Sequence, residues 1–298
     1  MIKAVIDIGT NSIKCTIAMV EEGKVAIIED LNLIPKLGED LASTGKIGPA
    51  AMERNITALR GIQAACAKHK VDKVVCVGAE TLRKAADADV FIEKVREEFG
   101  WELRTLKSDE EAELTFLASS LMAPEGKLVL VFDCGGGSTE FTYGRGKNIL
   151  AKTSLPLGAL VLTKKFLFSD PAKPEESKNL EAYVAEVLAK ALPAPEQAFT
   201  IGCGGSLTTL ASVSLALEVF DADRIHGLKL TSAEMDRQAN IYGSLKIDER
   251  TQIKGLRADR APTILAGALI LKGIMQYLGL KEVTVSTNGL RHALLIAD

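Results

Sequence analysis

The order of apolar and polar residues predicts the same succession of elements in both halves of the chain. In the first half, alternation predicts strands, and the apolar residues from Met52 to Cys66 recur at helical spacing. In the second half, strands are followed by a helix near 159–168. The predicted strands are 2–8, 12–19, 25–31 and 72–77, and then 127–133, 138–143 and 147–153. Strands that alternate with helices predict α/β layers, with ligands at the carboxyl ends of the strands.

The two halves share a repeated sequence motif. An apolar run ends in Asp and then turns through glycine and hydroxyl residues, first in AVIDIGTNS and again in LVFDCGGGST. Asp133 follows Asp7 by 126 positions, and Gly204 follows Gly78 by the same 126 in a second pair of strand-to-glycine turns. Two matched offsets indicate an internal duplication.

The length agrees with this duplication, because 298 residues suit about two domains. A short breaker stretch, Met122–Gly126, lies between a predicted helix and the second Asp-Gly strand. We therefore predict two related domains, 1–122 and 123–298, with the C-terminal helix able to pack back on the first.

Composition and charge narrow the class of protein. A hydrophobic fraction of 47% with 25% charged residues excludes disorder and marks a folded chain. The formal net charge of −3 gives no global positive field, so we expect neither nucleic acid nor a membrane as partner. Any polyanion that binds has to be held by a local site, for which Lys14, Lys164, Lys165, Arg257, Arg260 and Arg291 are candidate cations.

Location and metal chemistry follow from a few further features. The apolar stretch 261–275 is too short for a membrane span, and the N-terminus has no signal-peptide pattern. Five cysteines, an odd number without a CxxC pair, predict a reducing, cytoplasmic location. A zinc site is not expected, because the three histidines are scattered along the sequence.

Three glycine turns follow predicted strands and are candidate phosphate sites, because glycine lets several backbone N–H groups converge on one anion. The alternative interpretation of the first two is a pair of tight β-hairpin turns. Their duplication after Asp favours phosphate binding, and the third turn also precedes a helix N-terminus. The candidate residues are Gly9, Thr10, Asn11 and Ser12; Gly135, Gly136, Gly137, Ser138 and Thr139; and Gly204, Gly205 and Ser206.

Acidic residues near these turns have two interpretations each. Asp133 and Glu140 flank the second turn and could hold Mg²⁺, with Asp7 in the matching place of the first half, or they could be a turn cap and a solvated strand residue. Glu111 completes a Ser108-x-x-Glu capping box, and sequence physics alone favours that structural role. Arg83 could bind phosphate through two nitrogens or be a surface helix charge.

A resemblance to a known protein family favours one of the two interpretations for each of these residues. The segments IDIGTNS, AETLRKAAD, SDEEAELTF, FDCGGGSTE, SLPLGALVLT, IGCGGSLTTLA, RIHGLKLT and GLRADRAPTILAGALIL with STNGLRHALL resemble, in this order, the exopolyphosphatase / guanosine pentaphosphate phosphohydrolase (Ppx/GppA) family. The resemblance implies two actin-like domains of the sugar kinase, chaperone and actin superfamily, ribonuclease H-like in topology, with a phosphate-hydrolysing interdomain cleft. The chain is similar to the short, two-domain form of the family.

The same resemblance implies roles for individual residues. Asp133 and Glu140 match the metal-binding acids, Glu111 matches the general base, and Arg83 matches the Arg of the family's ATxALRxA segment. Two family carboxylates are absent here, since Pro262 stands where RAD is typical and His292 where GLREG is typical. Pro262 is also suited to the first turn of a helix.

The expected function is an exopolyphosphatase, a Mg²⁺-dependent hydrolase that releases the terminal phosphate of inorganic polyphosphate. Guanosine pentaphosphate is the alternative substrate, and a non-catalytic alarmone or polyphosphate sensor and an actin-like sugar kinase are other classes. The chain has one Trp, four Tyr and nine Phe, and Trp101 is distant in sequence from every glycine turn, so there is little surface for stacking a base, which favours polyphosphate. A homodimer is a further expectation.

Overall fold

The computed structural model describes residues 1–21, 24–192 and 197–296, apart from the side chains of residues 42 and 108. The chain forms two compact units: Met1–Leu114 with Leu290–Asp298, and Thr115–Gly289. The division lies inside one helix, whereas the sequence-predicted domain boundary at 122/123 remains a prediction.

The first unit contains a five-stranded mixed sheet flanked by helices. The sheet order is β3-β2-β1-β4-β5, in which β1 is antiparallel to β2 and parallel to β4. Its elements are β1 (Ile2–Ile8), β2 (Ile13–Glu21), β3 (Lys24–Leu33), α1 (Leu41–Thr44), α2 (Pro49–Lys68), β4 (Lys73–Gly78), α3 (Glu80–Lys84), α4 (Ala88–Phe99), β5 (Leu103–Thr105) and the beginning of α5 (Ser108–Ser120).

The second unit contains a six-stranded mixed sheet in the order β10-β11-β9-β6-β7-β8. Its elements are β6 (Val129–Cys134), β7 (Thr139–Arg145), β8 (Asn148–Leu155), α6 (Ala159–Phe166), α7 (Pro174–Ala191), β9 (Phe199–Cys203), α8 (Gly205–Ser214), α9 (Ala222–Ile225), β10 (Lys229–Thr231), α10 (Ser232–Ser244), α11 (Ile247–Arg250), a 3₁₀ turn (Ala258–Arg260), α12 (Ile264–Tyr277) and β11 (Glu282–Val285); α13 (Leu290–Ile296) belongs to the first unit.

The element predictions are confirmed, with ends displaced by a few residues. The helix predicted across Met52–Cys66 is α2, and the helix near 159–168 is α6. One expectation is wrong: Pro262 does not lie in the first turn of a helix, because α12 begins at Ile264.

The duplication is present in the strand registers as well as in the sequence. Asp7 pairs with Val77 across β1 and β4, and Asp133 pairs with Cys203 across β6 and β9, so both partners are displaced by 126. The register shift at Ile17/Ala18 in β2 recurs at Tyr143/Gly144 in β7, again 126 positions later. A shared bulge position is a specific feature of strand geometry, and it supports a common origin of the two sheets.

Each sheet is covered by apolar helices, which explains why these segments fold. In the second unit, α12 is buried along nearly its whole length among α6, α7, α8 and α10. In the first unit, α2 packs its apolar stripe on β2, and α13 packs on β1 and β2. The described helices include none that is long and apolar enough to cross a membrane.

Candidate functional site

The first glycine loop connects β1 to β2, and three of its carbonyl groups accept hydrogen bonds from backbone N–H groups. Gly9 N–H donates to the carbonyl of Ser12 at 2.9 Å. The segment after β3 supplies the other two donors: Gly38 N–H to the Thr10 carbonyl at 2.8 Å and Lys36 N–H to the Asn11 carbonyl at 3.1 Å.

The second glycine loop repeats this arrangement between β6 and β7. Gly135 N–H donates to the carbonyl of Ser138 at 2.9 Å, the same bond 126 positions later. The first turn of α6 supplies the other donors: Ala159 N–H to the Gly135 carbonyl and Leu160 N–H to the Gly136 carbonyl, both at 3.0 Å. Thr139 Oγ1 also donates to the Leu157 carbonyl at 2.5 Å.

This arrangement uses the carbonyl groups of both loops but not all of their backbone N–H groups. Within the described residues, the N–H groups of 10–12 and of 136–138 donate to no acceptor. A tight two-residue hairpin turn would use the last of them to close onto the first carbonyl of the loop. Three adjacent N–H groups without a partner form the kind of concavity that binds an anion.

The third turn connects β9 to α8. Gly204 has φ +98°, and a Cβ there would lie 2.4 Å from the Cys134 carbonyl oxygen and 2.7 Å from Asp133 Oδ1, so only glycine fits. The guanidinium of Arg260 lies against Gly205 at the start of α8 and is 3.7 Å from a carboxylate oxygen of Asp259. The third turn is therefore packed against the Asp133 carboxylate at Gly204 and against a cation at Gly205.

Two predicted metal ligands lie opposite each other on adjacent strands. Asp133 of β6 and Glu140 of β7 are direct cross-strand partners. Glu140 Oε1 accepts hydrogen bonds from Ser138 Oγ at 2.6 Å and Ser154 Oγ at 2.8 Å, which orients the carboxylate. Like charges directly opposite each other destabilise a sheet unless a cation lies nearby.

The donor set suits Mg²⁺, which keeps several waters and takes one or two carboxylates together with substrate phosphates. No group of three or more His, Cys, Asp or Glu side chains with metal-binding geometry occurs in the described part of the chain. A metal here would therefore complete its coordination with water and phosphate.

The matching position of the first unit has different chemistry. Asp7 of β1 faces Lys14 of β2 where the second unit has two carboxylates. Burial raises the pKa of the Asp7 carboxyl, and the positive charges of Lys14 and Arg291 lower it in part. Because Lys14 supplies a cation at this position, the duplicated pair suits a metal ion only in the second unit.

The structure brings the two predicted catalytic side chains together in the first unit. Arg83 of α3 donates through Nη1 to the Leu106 carbonyl at 2.7 Å and to Glu111 Oε2 at 3.2 Å. The Arg83 side chain is only 26% exposed, so it is not a solvated helix charge. Residues 28 positions apart in sequence thus form one charged pair.

Glu111 lies in the first turn of α5, as a capping box requires. Helix α5 begins at Ser108, and Glu111 N–H donates to the Lys107 carbonyl at 3.0 Å. The Ser108 side chain lies outside what the structure describes. On the Glu111 side, one carboxylate oxygen meets Arg83.

The cysteines next to the glycine turns are buried thiols. Burial raises the pKa of Cys134 and of Cys203 to about 12 each. They stay protonated near neutral pH and are poor nucleophiles.

Sequence reasoning missed several supporting residues. Ser154, Gly158, Leu106 and the segment 36–38 all contact predicted site residues, although none carries a motif of its own chemistry. Only Gly158 had a signal, as the glycine of SLPLGALVLT.

Comparison with known proteins places these loops in context. Residues 16–298 match the Ppx/GppA phosphatase family. The chain belongs to this family. The predicted resemblance is therefore confirmed, and the second and third glycine turns lie within the matched residues.

Individual relatives support this placement. A bifunctional 3-dehydroquinate synthase/phosphatase of Fusobacterium nucleatum is 33% identical over 96% of this Ppx/GppA chain, which spans only 45% of that protein. Exopolyphosphatase 2 of Mycobacterium tuberculosis is 28% identical, with 96% of this chain and 94% of that one covered. The crystal structure of the Aquifex aeolicus Ppx/GppA family member has a TM-score of 0.88 and 31% identity over 99% of this chain and 96% of that one. The predicted α/β fold class is confirmed.

The second glycine loop generates a prediction about stability. A Cβ at Gly158 would lie 2.2 Å from the carbonyl carbon of Gly137 and 2.3 Å from the Gly136 oxygen. Gly158→Ala should therefore lower the free energy of unfolding by about 1–3 kcal/mol, the usual cost of overpacking. At Gly136 the nearest atom to an added Cβ is 3.7 Å away, so Gly136→Ala is the matched control and should lose no stability. Urea unfolding measures both, and equal stability of the two variants would contradict this packing.

Proposed function

We propose that this Ppx/GppA protein is a Mg²⁺-dependent phosphohydrolase that releases the terminal phosphate of inorganic polyphosphate. The observation that carries the proposal is the pair of glycine loops, each with three adjacent N–H groups that have no acceptor in the described residues. Such groups suit a chain of phosphates, which offers many anionic oxygens and needs no recognition of a base.

The side chains then divide the work of hydrolysis. Arg83 would hold the terminal phosphate, since its guanidinium is already fixed by the Leu106 carbonyl. Glu111 would orient a water and take its proton as the water oxygen bonds to the terminal phosphorus; the phosphoanhydride P–O bond then breaks, and the shortened polyphosphate leaves with the electron pair on its new terminal oxygen. A Mg²⁺ ion held by Asp133 and Glu140, when bound, would neutralise charge on the phosphate oxygens. Asp7 and the turn at Gly204–Ser206 would complete the phosphate contacts.

Phosphate release tests the proposal directly. The protein is incubated with Mg²⁺ and long-chain polyphosphate, guanosine pentaphosphate, or ATP with a panel of sugars. We expect the highest kcat/KM with polyphosphate. Faster release from guanosine pentaphosphate would reassign the substrate, transfer to a sugar would indicate a kinase, and binding without turnover would indicate a sensor.

The metal assignment predicts the effect of losing either acid. Asp133→Asn and Glu140→Gln should each raise the Mg²⁺ concentration for half-maximal activity by at least about tenfold. Even the loss of a residue that only hydrogen-bonds to a metal ligand usually lowers metal affinity by that factor. High Mg²⁺ should restore part of the rate. Glu186→Gln, an exposed acid of α7 paired with Lys190, is the control. Wild-type Mg²⁺ dependence in both variants would refute the assignment.

Arg83 is predicted to act through its planar, two-nitrogen geometry. Arg83→Lys should lower kcat/KM by about 10- to 100-fold, because an ammonium group cannot reproduce that grip on phosphate. The control is Lys84→Arg, which also exchanges Lys and Arg without changing the charge. Lys84 is at the next position of α3 and its side chain is 63% exposed, so this variant should have no effect on kcat/KM. If Arg83→Lys has wild-type kinetics, Arg83 has no role in phosphate binding.

Glu111→Gln separates a general base from a structural acid. Gln keeps the shape and capping ability of Glu but cannot accept the proton, so kcat should fall by about 10²- to 10⁴-fold. Stability should change by less than about 1 kcal/mol, since the ion pair with Arg83 is part-exposed. Glu110→Gln, which breaks the neighbouring ion pair with Arg104, is the matched control for turnover. Unchanged kcat together with an unchanged melting temperature would leave Glu111 without a catalytic role.

A further inference from the structure

A buried hydroxyl lies directly behind the first glycine loop. Thr81 of α3 is 1% exposed, and its Oγ1 donates to Oγ1 of Thr10 at 2.9 Å. Strand β4 is parallel to β1, with Gly78 opposite Ile8, so the first turn of α3 reaches the loop that follows β1. The contact therefore follows from strand order, although 71 positions separate the two residues.

The direction of this hydrogen bond determines what Thr10 can do. A threonine hydroxyl has one proton to donate and two lone pairs. Because Thr10 Oγ1 accepts from Thr81, its own proton points away from Thr81, and it meets no acceptor in the residues the structure describes. The Thr10 carbonyl is separately held by Gly38 N–H at 2.8 Å, so both backbone and side chain are fixed.

The loop thus offers a fourth donor beside its three free N–H groups. A half-buried hydroxyl with a fixed rotamer donates to an anion without losing rotamer freedom on binding. In the second unit, Gly136 occupies the equivalent position and has no hydroxyl. The first loop is therefore the one in which a side chain can add to the backbone donors at this position.

We propose that Thr81 is a positioning residue that orients the Thr10 hydroxyl toward a substrate phosphate. The inference rests on the proposed phosphohydrolase function for the identity of the ligand, and it concerns binding of phosphate rather than the proton transfer at Glu111. Thr81 acts only through Thr10 and does not touch substrate itself.

Three variants of the full chain test the inference. Thr81→Val keeps the shape and removes the donor, Thr81→Ser restores the hydroxyl, and Thr10→Val removes the residue through which Thr81 acts. The measurements are steady-state kinetics with polyphosphate and Mg²⁺, calorimetric binding of medium-chain polyphosphate, and the melting temperature. Binding does not require turnover, so it remains informative if the proposed hydrolysis fails.

Thr81→Val should raise KM and the polyphosphate Kd by about three- to tenfold, the usual effect of one hydrogen bond, with kcat within about twofold. Thr81→Ser should restore wild-type binding. Thr10→Val removes the donor itself and should cost at least as much as Thr81→Val, and the double variant should match Thr10→Val, because Thr81 acts only through Thr10. Wild-type Kd in Thr81→Val, additive losses in the double variant, or equal losses in the Ser and Val variants would each overturn the inference. Absent turnover in the wild type with this binding pattern intact would instead reject only the proposed hydrolysis.

Discussion

The direction of the carbonyl groups in the two glycine loops is the constraint on which the proposed site depends. Backbone donors and acceptors both need partners, and each loop gives its carbonyls to N–H groups of the chain that follows the third strand. In the first loop these donors are Gly38 and Lys36, and in the second they come from the start of α6. The amides are then the groups that remain, and they need an anion or water.

Duplication of one strand hairpin explains why this constraint occurs twice, and later divergence explains the difference between the two copies. The registers, the bulge and the loop-closing bond all recur at an offset of 126. The cross-strand pair does not: it is Asp7 with Lys14 in one copy and Asp133 with Glu140 in the other. One copy therefore carries its own cation, whereas the other suits a metal ion.

The sequence predicted the strands, the first helices and the candidate loops, because strand alternation and a repeated Asp-x-Gly motif are local signals. It could not predict which groups close the loops or orient the acids. The Arg83–Glu111 pair, the Ser154 hydrogen bond to Glu140 and the contact of Gly158 with Gly137 all join residues distant in sequence. The expectation for Pro262 was wrong for the opposite reason, because a local preference did not decide the structure. Proline suits the first turn of a helix, but here a 3₁₀ turn ends at Arg260 and α12 begins only at Ile264, so Pro262 lies between them.

The most direct test of the account is a map of the amides that respond to phosphate. In ¹⁵N-labelled protein titrated with medium-chain polyphosphate, the N–H resonances of residues 10–12 and 136–138 should shift most, because these groups gain an acceptor on binding. Their hydrogen exchange should slow in the complex. Binding that leaves these six amides unchanged while others shift would contradict the proposal that each loop binds phosphate.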